Sequence, residues 1–414
     1  MDQQYRLGKL LLKLVIYTII IWDFVPCFSA YMPAIVRYAI IIFLFMGSFL
    51  SSIMVNPLKQ HFIRKSMLLI GIVVFLLLMY MGKWRYQGTD FVSYFCTAYL
   101  FWVPVLIFDV VSFLPENDIK RIRSVLLICI AVTMITTIIG SSVYSEASRL
   151  LSQGYNTQMD EIFAKSNIGG YGFIYGIVLL LPMILYLCSV VKNRILIFAF
   201  VAGSVLVVIY AQYSIALVLI VTIFIAYFVL KRGNLKRTLF YCLIGIGVFV
   251  LLRGVLIAIL GFIQQESLNS GFAFISDRIS LIIKILDGSG LQGDAIARQN
   301  LYLRSWNAFL EDPLIGSLFE QHQLGRHSEL LDILGATGIV GLSLFFTMWY
   351  RNTKQIFSEI NYIQKVYYFI ACLALGVIFY LNTIFTSPEI SVVMFIVPML
   401  IFRTDSFVSN INYK

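Results

Sequence analysis

The chain has 414 residues, of which 60% are hydrophobic and only 13% charged, with a formal net charge of +10 at pH 7. Its mean hydropathy is +0.89, whereas about a quarter of the residues of an ordinary soluble domain are charged. These values exclude a soluble enzyme or a disordered charged tail and point to an integral membrane protein.

Taken in chain order, apolar runs of helix length recur at 10–29, 31–54, 66–83, 89–114, 122–142, 169–190, 195–211, 214–230, 238–261, 329–350, 363–382 and 386–403. Each can cross a hydrocarbon core of about 30 Å as a helix, so the sequence predicts an all-α integral membrane protein of about twelve transmembrane helices. The runs lack the ten-residue alternation of a membrane β-barrel. The first is too long for a signal peptide and has no small-residue cleavage site after it, so it is expected to remain as a span. The connection from Ala211 to Ser214 leaves the division of its two flanking runs open.

Basic residues gather at alternate ends of these runs. Arg6, Lys9 and Lys13, then Lys59, Arg64 and Lys65, then Lys120, Arg121 and Arg123, with further groups at 192–194, 231–237, 351–365 and 403–414, share one side. The positive-inside trend assigns that side, and both termini, to the cytoplasm. Twenty of the 31 Lys and Arg residues lie there, so the positive charge reads as a topology signal and calls for no nucleic-acid partner. Cys27, Cys96, Cys129, Cys188, Cys242 and Cys372 all fall within predicted spans and read as small buried apolar residues. With no internal repeat and no soluble catalytic unit, residues 1–414 form a single polytopic membrane domain.

The polar material collects on the other side, in external loops at 143–168 and 262–328, the second lying between spans 9 and 10. Long loops held by a rigid scaffold are where binding and catalytic groups concentrate. In the second loop, "SDRISLIIKIL" predicts a helix capped by Ser276. "RQNLYLRSWNAFLEDP" predicts another with Tyr302, Ser305, Trp306 and Phe309 on one face, stopped by Asp312-Pro313. Both need an apolar surface, so this partly helical loop is expected to fold over the outer mouth of the bundle.

Arginine carries the chemistry on that side. Arg278, Arg298, Arg304 and Arg326 lie in the long loop, Arg149 in the shorter one, and Arg37 and Arg253 inside spans toward their outer ends. A charge within a span is costly enough to suggest function, and a guanidinium fork suits phosphate. A surface ion pair with Asp277, Asp294 or Glu311 is the alternative use. The outer acids Asp287, Asp294 and Asp312 are scattered, and Asp90 and Asp23 lie at or within spans; solvated or capping roles are expected for them. No Asp-x-Asp pair occurs outside, so neither metal nor cofactor is expected. Trp84, Tyr86 and Trp306 read as interface anchors.

Two blocks of residues then stand together. Arg298, Tyr302 and Pro313-Leu314-Ile315-Gly316 form one; His327, Gly338 and Gly341, with Leu331 and Leu334 between them, form the other. They resemble the O-antigen ligase/polymerase superfamily, membrane enzymes that transfer glycans from undecaprenyl diphosphate. Tyr302 stands where that family more often has Trp, and Ser328 where Asn usually follows the His. The matched residues run only from Arg298 to Gly341.

The resemblance implies a GT-C-like membrane glycosyltransferase in which Arg298 binds the donor diphosphate and Tyr302 contributes to the same site. Guanidinium donors would stabilise the charge that develops on the departing diphosphate. His327 would accept the proton of the attacking sugar hydroxyl. Arg326, Arg37, Arg253 and Arg304 are further substrate-binding candidates by position. Glu329 is a rival base, or an orienting group for His327 if the helix has not begun there, since residues two apart on a helix point about 200° apart.

The implied activity is metal-independent, inverting polymerisation of surface-polysaccharide repeats. The growing glycan passes from undecaprenyl diphosphate to the non-reducing end of another undecaprenyl-diphosphate-linked oligosaccharide, on the outer face of a bacterial inner membrane. A chain-length regulator protein is a partner such enzymes can take. A ligase handing the glycan to lipid A core or protein, and a transporter of the same lipid-linked sugars, stand as alternatives.

Overall fold

The computed structural model describes residues 2–144, 147–153, 157–190, 194–231, 253–273, 275–277, 279–280, 283 and 294–402, which contain helices and turns but no strand. Most of the predicted span 238–261 lies outside the described residues, as do Cys242, Arg278, Asp287 and the basic groups at 232–237 and 403–414.

The first half comprises α1 (Asp2–Phe24), α2 (Pro26–Ala30), α3 (Ala34–Val55), α4 (Lys59–Met79), α5 (Phe91–Leu100), α6 (Val103–Val111) and α7 (Glu116–Val143). α4 continues through a π turn (Tyr80–Trp84) and a 3-10 turn (Arg85–Gln87). Two short helices, α8 (Ala147–Gln153) and α9 (Thr157–Lys165), precede α10 (Tyr171–Val190), α11 (Ile195–Ala211) and α12 (Ser214–Lys231). Then come α13 (Arg253–Asn269), α14 (Asp294–Glu311), α15 (Glu329–Glu359), α16 (Tyr362–Leu381), α17 (Pro388–Ser391), a π turn (Val392–Ile396) and α18 (Val397–Ile401).

Among the described residues, seven helices are long and apolar enough to cross a membrane: 34–55, 59–87, 91–111, 116–143, 171–190, 329–359 and 362–381. Shorter apolar helices occupy 195–211, 214–229 and 388–401. Residues apolar on every side must be enclosed by other helices. Accordingly all of α6, residues 172–188 of α10 and residues 390–402 are buried and form the centre. The outer helices leave Ile42, Ile70, Ile128, Ile139, Phe198 and Val218 exposed, an apolar exterior suited to lipid. The connection at 211–214 is a tight turn, closed by Gln212 at φ 59, so α11 and α12 are separate helices.

α4 carries a buried charge at each end. At the first, Lys65 Nζ lies 2.6 Å from Asp109 Oδ1 and 2.6 Å from the Leu106 carbonyl, and Arg64 reaches the other Asp109 oxygen. A charge removed from water persists only with such partners. Lys83 stands at the other end.

Within 143–168, Ala147, Phe163 and Ile168 form a small buried cluster. Asn167, at φ 58, plugs into α7, its amide donating to Thr133 Oγ1 at 2.9 Å while its carbonyl accepts from Thr136 Oγ1 at 2.6 Å. Asn tolerates this left-handed conformation better than most side chains.

Three expectations for the long loop need correction. α13 runs to Asn269, past the expected end of the span at 261, so the loop begins as a helix. The Ser276 amide bonds to the Phe272 carbonyl at 3.1 Å, which puts Ser276 inside a helical turn and not at a cap. On α14 the buried face is Ser305 and Ala308, whereas Trp306 is 40% exposed. The reason is steric: α14 lies so close to α15 that a Cβ on Gly335 would come within 2.7 Å of the Ser305 carbonyl oxygen and 3.4 Å of Ala308 Cβ. Only small side chains fit that seam.

α15 is discontinuous. Gly338 has φ 60 and ψ −159, a conformation that is essentially glycine's alone. The break frees the amides of the next two residues, and the turn after α14 takes them up: Ile339 N donates to the Pro313 carbonyl at 2.9 Å and Val340 N to the Leu314 carbonyl at 3.2 Å. Irregular backbone at membrane depth needs this kind of internal compensation.

Candidate functional site

Gly82, in the π turn that closes α4, is packed directly against the Ala336 carbonyl, with no room for a Cβ. That contact brings the next residue, Lys83, to the first half of α15, where its Nζ lies 2.8 Å from Asp332 Oδ2, both side chains almost fully buried. The other carboxylate oxygen, Oδ1, accepts from Ser305 Oγ at 2.6 Å and from the Arg326 amide at 3.1 Å, and Ser305 Oγ in turn accepts from the Gly325 amide at 2.8 Å. One buried carboxylate therefore gathers α4, α14, α15 and the turn before α15.

That turn holds the residues singled out from sequence. Arg326 sits at φ 62, a costly conformation for a long side chain, which its amide bond to Asp332 helps hold. Arg326 and His327 keep part of their surface open to solvent. Ser328 caps α15, its Oγ accepting from Leu331 N at 3.2 Å. A serine at this position thus does a job open equally to asparagine. The helix proper begins at Glu329, so His327 precedes it.

Glu329 is not paired with His327. It is 2% exposed, and its Oε2 accepts from the amides of Ile384 at 2.7 Å and Phe385 at 3.2 Å. Its own amide donates to the Asn382 carbonyl at 3.0 Å. The carboxylate thereby fixes the segment after α16, a use that competes with service as base or as orienting group for the imidazole. The acid that acts on His327 is Asp332.

Partial burial pushes the His327 imidazole below its ordinary value, Arg298 adds to that, Asp332 opposes it and Lys83 reinforces it. That direction favours the neutral ring, the form that can accept a proton. Arg298, half-buried on α14, acts electrostatically on His327, Tyr302, Tyr171 and Tyr175. Tyr302 donates its hydroxyl to the Leu381 carbonyl at 3.1 Å, docking α14 on the end of α16. Burial pushes its phenol up, against the pull of Arg298.

Two cavities meet here. One of about 220 Å³ is walled mostly by apolar groups, among them Trp84, Tyr94, Ala98 and Phe385, with Glu329 at its edge. The other, about 460 Å³, is polar and is lined by Tyr86, Gln87, Arg304, Gln321 and His322. Lys83 and Arg326 line both.

The fold thus gathers Arg298, Tyr302, Arg304, Arg326, His327 and Glu329 at one end of the bundle. It leaves Arg37 elsewhere: exposed on the first turn of α3, it acts on Glu161 of α9. Arg253 opens α13, and its side chain lies outside the described residues. Sequence reasoning missed Lys83 and Asp332, and placed Ser305 on a packing face without a part in the site. The available signal for Lys83 was a cation at the end of the apolar run 66–83, on the side the sequence was expected to place outside. Nothing in the sequence singled out Asp332, three residues after Glu329 on the same helix. No family model, no curated protein and no solved structure matches the chain.

Proposed function

We propose that the chain is a membrane glycosyltransferase acting on lipid-linked glycans, a polymerase of polysaccharide repeat units. The observation that carries this reading is the pair of cations, Lys83 and Arg326, at the junction of a polar and an apolar cavity. A polyprenyl-diphosphate sugar has the matching order of parts: a polar glycan, a double anion and an apolar tail.

In this reading Lys83, Arg326 and Arg298 neutralise the diphosphate, guanidinium groups being suited to its oxygens. His327 takes the proton of the acceptor hydroxyl as that oxygen bonds to the anomeric carbon. The anomeric carbon–oxygen bond to the diphosphate breaks, and undecaprenyl diphosphate leaves with the electron pair. Charge on the leaving group grows where fixed cations already stand, which is where electrostatic catalysis is most effective. Asp332 positions Lys83 and the Arg326 backbone.

With α1, the shorter apolar helices and the run at 238–261 counted as spans, the chain crosses about twelve times in a GT-C-like arrangement, both ends cytoplasmic and the site outside. The test uses purified protein, a defined undecaprenyl-diphosphate repeat unit and no other acceptor, with products separated by size. A ladder from the wild type, lost in folded His327→Ala and Arg298→Ala, supports the polymerase. Transfer only after lipid A core is added makes the protein a ligase. No transfer to any acceptor, together with movement of labelled lipid across vesicles, makes it a transporter.

A further inference from the structure

A second set of ionisable groups lies within the bundle. Asp23, in the last turn of α1, is 4% exposed, and neither of its carboxylate oxygens has a hydrogen-bond partner. Glu389, in α17, has its Oε2 buried and likewise without a partner. α1 contacts α17 directly, and the charges of the two acids act on each other. Gly172 of α10 faces the Glu389 carboxylate so closely that no side chain fits there, and Gly176 lies one turn further along the same helix face.

The surroundings supply no countercharge. Beside Asp23, the Phe24 carbonyl is taken by Thr133 Oγ1 of α7 at 2.6 Å. Across from Glu389, α10 offers glycines. No Lys, Arg or His pairs with either acid among the described residues, whereas the buried acids Asp109 and Asp332 each hold a cation. Two carboxylates close together in a low-dielectric interior cannot both stay ionised unless a positive charge lies between them.

We propose that Asp23 and Glu389 form a binding site for one exchangeable monovalent cation, a proton or a sodium ion. The shared cation joins α1 to α17 at the end of the bundle where Glu329 holds Ile384 and Phe385. The site requires no glycosyl transfer and stands or falls separately from it.

The test is labelling of the full-length protein in lipid vesicles with dicyclohexylcarbodiimide, which adds to protonated carboxyls in apolar surroundings, mapped by mass spectrometry. Label at Asp23 or Glu389 that increases as pH falls, unaffected by exchanging choline for sodium, identifies a proton. Label that sodium suppresses and choline does not identifies sodium. In Asp23→Asn, loss of the like charge moves half-labelling of Glu389 down by roughly one pH unit or more. Infrared spectroscopy gives a readout independent of reagent access: in sodium-free buffer a protonated-carboxyl stretch is present in the wild type and lost or shifted in Asp23→Asn and Glu389→Gln. Absence of both label and stretch from the wild type overturns the proposal.

Discussion

Lys83 and Asp332, 249 residues apart in sequence, meet at 2.8 Å with almost no exposure to solvent. Removing one partner leaves the other charge buried and unpaired, which costs about 3–5 kcal/mol. Lys83→Met and Asp332→Asn should each lower the unfolding midpoint in mild detergent markedly. Lys83→Met combined with Asp332→Asn should lose less than the sum of the two single losses. Additive losses would mean that the pair is not coupled.

The environment of His327 fixes a direction for its titration. Its imidazole is held below the ordinary histidine value of about 6.5, with Arg298 contributing and Asp332 opposing. Modification of His327 by diethyl pyrocarbonate, which needs the neutral ring, should therefore persist to lower pH than for a free histidine. Arg298→Gln removes a positive charge, favours the protonated ring and should move the midpoint up; Asp332→Asn should move it down. The readout is mass spectrometry at His327 and does not require transfer activity.

Gly338 is where a methyl group should matter most. Alanine there must adopt a glycine-only conformation at a cost of about 1–3 kcal/mol, and its Cβ would also collide with the Leu314 backbone. Gly338→Ala should reduce folded yield and thermal stability. Gly376→Ala, where a Cβ meets nothing within 4 Å, should be neutral or slightly stabilising.

Glu329 accepts two amide bonds from the segment after α16. Hydrogen bonds to a charged acceptor contribute about 1.5–3 kcal/mol each, so Glu329→Ala should speed hydrogen exchange at Ile384 and Phe385 on the order of ten- to a hundredfold. If Glu329 were free to act as a base, exchange there would be unchanged.

Arg37 lies by Glu161 and not by the two cavities. Arg37→Ala should leave transfer at the wild-type rate, while Arg326→Ala, at the junction of the cavities, should reduce it strongly. Equal losses in the two would move the substrate site toward α3.

Much of the helical architecture was legible because lipid and buried core both demand long apolar runs, and run length is a one-dimensional property. Pro33 and Pro115, placed just before α3 and α7, mark helix starts in the same local way. Contacts that depend on three dimensions were not legible. The break at Gly338 is spelled only by a glycine that could equally have served close packing, and its compensation comes from Pro313 and Leu314. The face of α14 was misread because its partner is a seam of small residues and not an apolar wall. Asp332 went unnoticed because an acid in a first helical turn is ordinarily a solvated dipole partner; here its surroundings come from α4 and α14. Asp23 likewise had been expected to cap or to face solvent.

The bonds from Ile339 and Val340 to the turn after α14 also restrict traffic. A hinged lid would have to lift that turn away and strand two bare amides inside the bundle. The turn is better compared to a rivet than to a door. Lys83 and Arg326 thus line both the apolar and the polar cavity against a wall that is held in place.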